Sequence, residues 1–383
     1  MEKSQNIYYG SQSYSQIPGI LKGAKAKKIF LVCGGTYDRL FIKSYLERLG
    51  VPIIRFGGFS PNPVYEDVVA GADLFCQESC DFILSIGGGS AIDVAKCVNA
   101  FASMEKSEVE YIHRPLREVQ YPHLAIPTTA GSGSESTHFA VMYYQGEKKS
   151  VSHESLRPDY VILEPDFLKT LPEYQKKSTV LDALCQATES MWSVKSNRES
   201  KEYAEKALEL ILGNLDHYLW EENEKSASQI MLGSNFSGRA INISETTAAH
   251  AMSYKLSSTF GIAHGHAVAL CLPYVLDYML KHPERCSDPR GREYLESVYQ
   301  RLAELWKVHS VSEIPEFLRG LLKRLELGLP MGRATGDVAK ELASSVNPQR
   351  LANNPVSLCG EMEEIYQKIL SENSKFVFKK SSD

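Results

Sequence analysis

The chain of 383 residues has no apolar run near the ~18–20 residues of a membrane span, so no spanning helix is expected. It also lacks a marked excess of charge. Its 42 Lys plus Arg stand against 47 Asp plus Glu, a formal net charge of −5. That excludes nucleic acid as a bulk electrostatic partner, although net charge says nothing about a local pocket. Met1–Asn6 lacks the apolar stretch of a signal peptide, and a cytoplasmic location is expected. A disulfide framework is missing too. Cys33, Cys76, Cys80, Cys97, Cys185, Cys271, Cys286 and Cys359 are scattered, and no second pair joins Cys76 and Cys80 in a zinc-like spacing. Reduced thiols are the expectation. What is present is an ordinary globular composition, 43% hydrophobic and 23% charged, which excludes intrinsic disorder, collagen and a coiled-coil rod. A chain of this length predicts about two domains.

The first half alternates strands and helices. Lys28–Cys33 is an apolar run closed by Gly34 and Gly35, and predicts a buried strand. A helical pattern follows through Leu40, Ile42, Leu46 and Leu49 until Gly50 stops it. Val51–Phe56 predicts a second strand, Glu66–Cys80 a helix, Phe82–Ile86 a third strand, Ala91–Phe101 a helix and Leu124–Pro127 a further strand end. Such alternation predicts a parallel sheet with helices on its faces. From about Ser178 onward the apolar residues recur at three and four, as in Tyr203, Ala207, Leu208 and Ile211. The expected organisation is an α/β dinucleotide-binding domain over residues 1–175 and an all-helical domain over 176–383.

Ser85–Lys96 carries an apolar strand into Gly87, Gly88, Gly89 and Ser90, and a helix begins at once. Glycines let the backbone approach a phosphate, and a helix N-terminus offers free N–H groups and a positive dipole end. A plain tight turn needs fewer glycines than this. The pattern differs from the G-x-G-x-x-G fingerprint and sits at the third predicted strand, not the first. A second Gly/Ser-rich segment, Pro127–Glu135, also leaves a strand end. Ligands of open α/β sheets sit outside the carboxyl ends of the strands, so the two loops together predict a nucleotide site.

In the second half, Asp182, Gln186 and Glu189 fall on one helix face by their i, i+4, i+7 spacing. His250, His264 and His266, three of the ten histidines, lie within 17 residues. Imidazole and carboxylate together suit Zn²⁺ or Fe²⁺. A lone histidine is more often a plain surface or core residue, and it is the clustering that points to metal.

Taken together, Gly87-Gly88-Gly89-Ser90-x-x-Asp93-x-Ala95-Lys96, Pro127-Thr128-Thr129-Ala130-Gly131-Ser132-Gly133-Ser134-Glu135, Asp182-Ala183-Leu184, and the spacing of 14 from His250 to His264 with Gly265 after it resemble the iron-containing (group III) alcohol dehydrogenase family. The resemblance runs from about Asn6 to the last helix. It implies a dehydroquinate synthase-like fold, with an N-terminal domain for NAD(H) or NADP(H) and a helical domain holding one divalent metal. The metal polarises the carbonyl or alcohol oxygen, and hydride passes between nicotinamide and substrate carbon. By resemblance, Gly88, Gly89 and Ser90 hold the pyrophosphate. Asp93, Thr128, Thr129 and Ser132 line the nicotinamide side, and Asn62 and Lys148 are cofactor-side positions, with Lys149 adjacent to Lys148. Metal ligands carry over at Asp182, His250 and His264. A homodimer or larger assembly is also implied.

Three departures from the family pattern stand out. The fourth metal ligand is usually a histidine one turn after the aspartate, and here it is Gln186, a weaker neutral donor. It either ligates, in a site that suits Fe²⁺ ahead of Zn²⁺, or steps back and leaves three protein ligands. Many members carry a proton-relaying histidine four residues after the first metal histidine. Here Tyr254 takes that place, and His266 is the other candidate relay. Members that prefer NAD often have an aspartate just after the first strand. Gly34 stands there, which removes the repulsion of a 2′-phosphate and leans the expectation to NADPH; Asp38 is the nearby carboxylate.

Asp182–Val194, Ala249–Leu256 and Gly261–Val268 look most like the phosphonoacetaldehyde reductase branch, which reduces that aldehyde to 2-hydroxyethylphosphonate. A phosphonate dianion needs cationic or N–H partners. Lys255 is favoured for that role, with Arg239 and Arg198 as alternatives. On one continuous helix Arg239 would lie about 16 Å from His250, too far for one small substrate unless the helix bends. Competing readings are a general alcohol/aldehyde dehydrogenase of the same family, a sugar-phosphate cyclase of shared fold, and a non-catalytic binding protein.

Overall fold

Strongly apolar runs bounded by glycine and charge become strands here because burial on both faces rewards every residue of them. The computed structural model describes residues 4–373 apart from 61, 106, 222, 331–336 and 359. Cys359 lies outside the described residues; the other seven cysteines are free thiols. The strands are β1 (Asn6–Tyr9), β2 (Ile29–Cys33), β3 (Ile53–Phe56), β4 (Phe82–Gly87), β5 (His123–Pro127), β6 (Phe139–Tyr144), β7 (Glu147–Ser152) and β8 (Tyr160–Leu163). Six of them pair in parallel in the order β3–β2–β4–β5–β8–β1. The remaining two, β6 and β7, form an antiparallel hairpin, whose turn residues Gln145 and Gly146 both have positive φ, as a two-residue hairpin loop requires.

The first compact unit comprises Met1–Leu171 and Trp220–Gly238. Along β2, Phe30 and Val32 point to one face and Ile29 and Leu31 to the other, the period-2 alternation of a strand. The first face packs against α3 (Tyr65–Gln77), α4 (Gly89–Ala102) and the hairpin through Val68, Phe75, Val94, Val98 and Met142. The second packs against α1 (Ile17–Gly23) and α2 (Ile42–Glu47). Each fully buried Leu, Ile or Phe contributes about 1.5–3 kcal/mol. Because β1 precedes the first predicted strand, the glycine loop follows the fourth strand in chain order, not the third. Four residues at a sheet edge, half of them exposed, carry too weak an alternation to be read. The chain runs outward from β2 to β3 and then returns to place β4 on the other side of β2. The loops after β2 and β4, at Gly34 and Gly88, therefore flank the point where strand order reverses, the place where open sheets bind ligands.

The second unit, Pro172–Leu219 with Arg239–Asp383, is helical among its described residues. Its helices are α5 (Glu173–Trp192), α6 (Arg198–Trp220), the end of α7 (Glu224–Ser244), α8 (Ala248–Phe260), α9 (His264–Lys281), α10 (Arg292–Trp306), α11 (Ile314–Arg324), α12 (Val338–Ser344), α13 (Pro348–Leu351) and α14 (Met362–Asn373). Arg239 and His250 are not on one continuous helix. The chain breaks between α7 and α8, with Glu245 at φ 54, because Glu189 takes over the first N–H groups of α8. No helix among the described residues is long and apolar enough to cross a membrane.

Candidate metal centre and dinucleotide loops

Helix α5 starts after Pro172 with Glu173 in its first turn, where a carboxylate favours the positive dipole end. From Val180 to Trp192 it is buried on all sides. Asp182 and Glu189 are thereby carried into the interior, where a carboxylate is costly unless paired. Glu189 is fully buried and fully engaged. Its Oε1 accepts from Thr247 Oγ1 at 2.7 Å and from the Ala249 N–H at 2.9 Å, which caps α8, and its Oε2 is joined to His250 Nδ1. That last contact fixes the imidazole with Nε2 pointing the other way, 3.4 Å from Asp182 Oδ1.

Gly261, at φ +65, ends α8 and turns the chain into α9. His264, the first residue of α9, comes back beside α8. Its ring lies 5.5 Å from that of His250 and stacks on Tyr254 at 5.3 Å and 2°. His264 Nε2 is 3.9 Å from Asp182 Oδ1, and Nδ1 faces Ser253 Oγ at 3.4 Å. One ligand atom from each of Asp182, His250 and His264 can be chosen so that all lie within 4.8 Å of one another. His250 Nε2 is buried and has no hydrogen-bond partner among the described residues. Burial opposes protonation of His250, but Glu189 and Asp182 outweigh it and raise its pKa to about 9. The two carboxylates therefore favour positive charge at this imidazole. A carboxylate and two imidazoles, one of them with a buried Nε2 lacking a hydrogen-bond partner among the described residues, fit a divalent ion of the zinc or iron type.

Gly265 makes this arrangement possible. A Cβ there would overlap the Ser178 carbonyl oxygen and lie 2.7 Å from Asp182 Cβ, so α9 touches α5 backbone to backbone. Gln186 is buried one turn after Asp182 on α5. Cys185 is fully buried beside it and outside the ligand cluster, its thiol pushed far up by burial. His266 faces elsewhere: its Nδ1 meets the Tyr174 hydroxyl at 3.1 Å, and burial pushes its pKa down to about 4. The favoured anion-binding cation, Lys255, is ion-paired with Glu341 at 3.1 Å. Arg239 lies over the Tyr203 ring, and Arg198 pairs with Glu202 at 2.9 Å.

In the first unit, β4 and β5 are neighbours with Gly87 opposite Pro127, and the Thr128 N–H donates to Gly87 O at 2.9 Å. The two Gly/Ser loops thus leave the sheet side by side. A Cβ on Gly88 would sit 3.4 Å from Thr129, and one on Gly89 would sit 2.7 Å from Ser132 Oγ. The first is ordinary contact, whereas the second would push Ser132 off the N-terminus of α4, which begins at Gly89. Asn235 secures the second loop by donating to Glu135 Oε1 at 3.0 Å and Ser136 Oγ at 2.7 Å. The N-terminus of α4 and the small residues around it fit a pyrophosphate.

Asp93 accepts from Ser134 Oγ and from the Val141 N–H, tying α4 to the second loop and to β6. Burial raises its pKa, against the pull of Lys96 and, more weakly, Lys148. Lys149 pairs instead with Glu147 at 2.7 Å. Asn62 is exposed, and its carbonyl accepts from Ser60 Oγ at 2.6 Å. Beyond Gly34, the Asp38 carboxylate is gripped at 2.8 Å by both ends of the Arg55 guanidinium and at 2.9 Å by Lys43, which hold it well below the usual carboxylate range.

Sequence reasoning placed Glu189 on the ligand face but gave it no task. Its i, i+7 spacing from Asp182 was the available signal. Arg350, which donates to the Tyr254 hydroxyl at 2.8 Å, was missed and carries no sequence signal, since it lies 100 residues beyond His250.

Comparison with known proteins agrees with both halves. Residues 4–165 match the model described as iron-containing alcohol dehydrogenase, and residues 176–368 that of the Fe-containing alcohol dehydrogenase family, C-terminal. An NADPH-dependent butanol dehydrogenase of Clostridium saccharobutylicum is 30% identical over 72% of this chain and 73% of that protein. A phosphonoacetaldehyde reductase of Streptomyces viridochromogenes is 33% identical over 58% of this chain and 60% of that protein. Among solved structures, a sulfoacetaldehyde reductase from Bifidobacterium kashiwanohense in complex with NAD+ aligns with a TM-score of 0.86 at 25% identity, covering 97% of this chain and 98% of that one.

Proposed function

The chain belongs to the iron-containing alcohol dehydrogenase family and is an NAD(P)-dependent alcohol dehydrogenase or aldehyde reductase, and on that premise we propose that it reduces phosphonoacetaldehyde to 2-hydroxyethylphosphonate. The observation that carries the chemistry is the convergence of Asp182, His250 and His264 around a buried His250 Nε2 without a hydrogen-bond partner among the described residues. These three residues would hold one divalent ion, Fe²⁺ ahead of Zn²⁺, with Gln186 as a fourth, neutral donor. The chemistry such an ion would supply there is polarisation of a carbonyl oxygen, and that of a bound NAD(P)H would be hydride donation. The 33% identity to a phosphonoacetaldehyde reductase supports the choice of aldehyde.

The chain's own residues do the rest. Gly88, Gly89 and Ser90 would bind the pyrophosphate at the start of α4, Asp93, Thr128, Thr129 and Ser132 would line the nicotinamide side, and Asn62 and Lys148 would be cofactor-side positions. Tyr254, whose ring stacks on His264, is the residue we assign to hold the proton for the product alcohol. His266, turned to Tyr174, orients α9. NADPH is preferred because Gly34 offers no carboxylate and Asp38 is neutralised by Arg55 and Lys43. We place the protein in the cytoplasm as a homodimer or larger assembly.

Glu189 is a positioning residue in this scheme. Glu189→Gln is expected to weaken metal affinity by about 10–100-fold, the usual cost of losing the carboxylate behind a ligating histidine. Competition with a chromogenic chelator measures this; an unchanged affinity removes Glu189 from the scheme. The function itself is tested by NAD(P)H oxidation with phosphonoacetaldehyde and butanal in the metal-loaded enzyme. The expected result is a kcat/KM at least ~30-fold higher for the phosphonate, the discrimination about 2 kcal/mol provides, and higher with NADPH than with NADH. Equal values for the two aldehydes would favour a general alcohol dehydrogenase of the butanol dehydrogenase kind.

A further inference from the structure

Resting on the anionic-aldehyde reading above, we propose that Arg350 is the residue that recognises the substrate's tetrahedral oxyanion, phosphonate or sulfonate. Every cation the sequence offered for this task is otherwise engaged: Lys255 with Glu341, Arg198 with Glu202, and Arg239 over Tyr203. Arg350 has no carboxylate partner among the described residues. The one hydrogen bond of its guanidinium there runs from Nη1 to the Tyr254 hydroxyl at 2.8 Å. Arginine carries five N–H donors in a planar fork matched to an oxyanion, so four are without a partner among the described residues.

The position suits the length of the substrate. The guanidinium carbon lies 4.8 Å from the Tyr254 ring centre, and that ring stacks on His264 at 5.3 Å. Arg350 is therefore within about 10 Å of a ligand-cluster histidine. A two-carbon aldehyde with its oxygen at the cluster and its phosphonate on an arginine spans roughly that distance from ordinary bond and hydrogen-bond lengths. The half-buried guanidinium, held against an aromatic ring, is partly desolvated, which strengthens its pull on an anion. Its backbone is fixed as well. Asn347 caps α13 by accepting the Gln349 N–H at 2.9 Å, and Asn353 Nδ2 donates to the Ser244 and Thr246 carbonyls at 2.8 and 3.0 Å. The segment is thus anchored to the same α7–α8 connection that begins the histidine helix.

The test uses the metal-loaded full chain and the variants Arg350→Met, Arg350→Lys and Lys255→Met, with phosphonoacetaldehyde, sulfoacetaldehyde and butanal as substrates. Arg350→Met is expected to lower kcat/KM on the preferred anionic aldehyde by about 10²-fold more than on butanal, mainly through KM, as loss of one desolvated charge contact does. Arg350→Lys, which keeps the charge without the fork, recovers part of the loss and carries the comparison if the methionine variant fails to fold. Calorimetric titration with 2-hydroxyethylphosphonate gives a readout independent of turnover, and its Kd rises in parallel. The sulfonate arm decides which head group is preferred. A wild-type preference that Arg350→Met leaves intact, or that moves to Lys255→Met, overturns the assignment and spares the phosphonate reading. An equal loss on butanal also overturns it, since Arg350 then only orients Tyr254. A wild type without preference for either anion overturns both.

Discussion

Asp182→Asn is expected to reduce kcat/KM for aldehyde reduction by about 10³-fold or more, because Lewis-acid polarisation of a carbonyl supplies several kcal/mol of transition-state stabilisation. Asp182 is the one anionic member of the ligand cluster, and both histidine Nε2 atoms face its Oδ1. The carboxamide keeps the shape and removes the charge. Metal content measured alongside kcat/KM should fall with it, while the metal-free variant stays folded, since the carboxamide keeps the shape of the buried side chain. Chelation of the wild-type protein should abolish activity and Fe²⁺ or Zn²⁺ should restore it. Full activity in metal-free protein would remove the metal from the mechanism.

Gly265→Ala is the substitution with the largest expected structural effect. The new methyl overlaps a backbone carbonyl at Ser178 and crowds Asp182, and neither can rotate away as a flexible side chain would. Overpacking of this kind costs about 3 kcal/mol or more. Relief requires α5 and α9 to separate, which moves Asp182 away from His264, and about 1 Å of misplacement costs roughly 10²-fold in rate. Gly213→Ala is the matched control. Its methyl meets nothing within 4 Å in α6, so it should gain about 0.5–1 kcal/mol from helix propensity. Thermal unfolding and kcat of the two variants together separate a steric clash from a general dislike of alanine. Equal behaviour would refute the close approach of α5 and α9.

The sheet was readable where burial on both faces makes a strand uniformly apolar, as in Ile29–Cys33 and Phe82–Gly87. It was unreadable at Asn6–Tyr9, an edge strand that joins the sheet only by pairing with Tyr160–Leu163, over 150 residues away. The glycine loop was legible because its chemistry is local. Backbone N–H groups at one helix start need only consecutive small residues. Its closure by Thr129 and Ser132 depends on the neighbouring strand, and no spacing along the chain encodes that.

The ligand histidines illustrate the same division. Their spacing of 14 and the glycine after them are sequence facts. That His250 turns its Nδ1 to Glu189 and that Gly265 lets two helices touch are tertiary facts. Lys255 looked better placed than Arg350 because it lies five residues from His250, yet Glu341 of α12 holds it. By itself the sequence determined the α/β-then-helical order and the glycine turn from strand to helix, because each rests on neighbouring residues or on helical periodicity, while the proposed metal donors came from the clustering of histidines and the resemblance to the family. The fold alone decided the direction of each imidazole, the role of Glu189 and the cation beside Tyr254. Those depend on which buried charges meet across helices, and a buried group is committed by its spatial neighbours, not by its place in the chain.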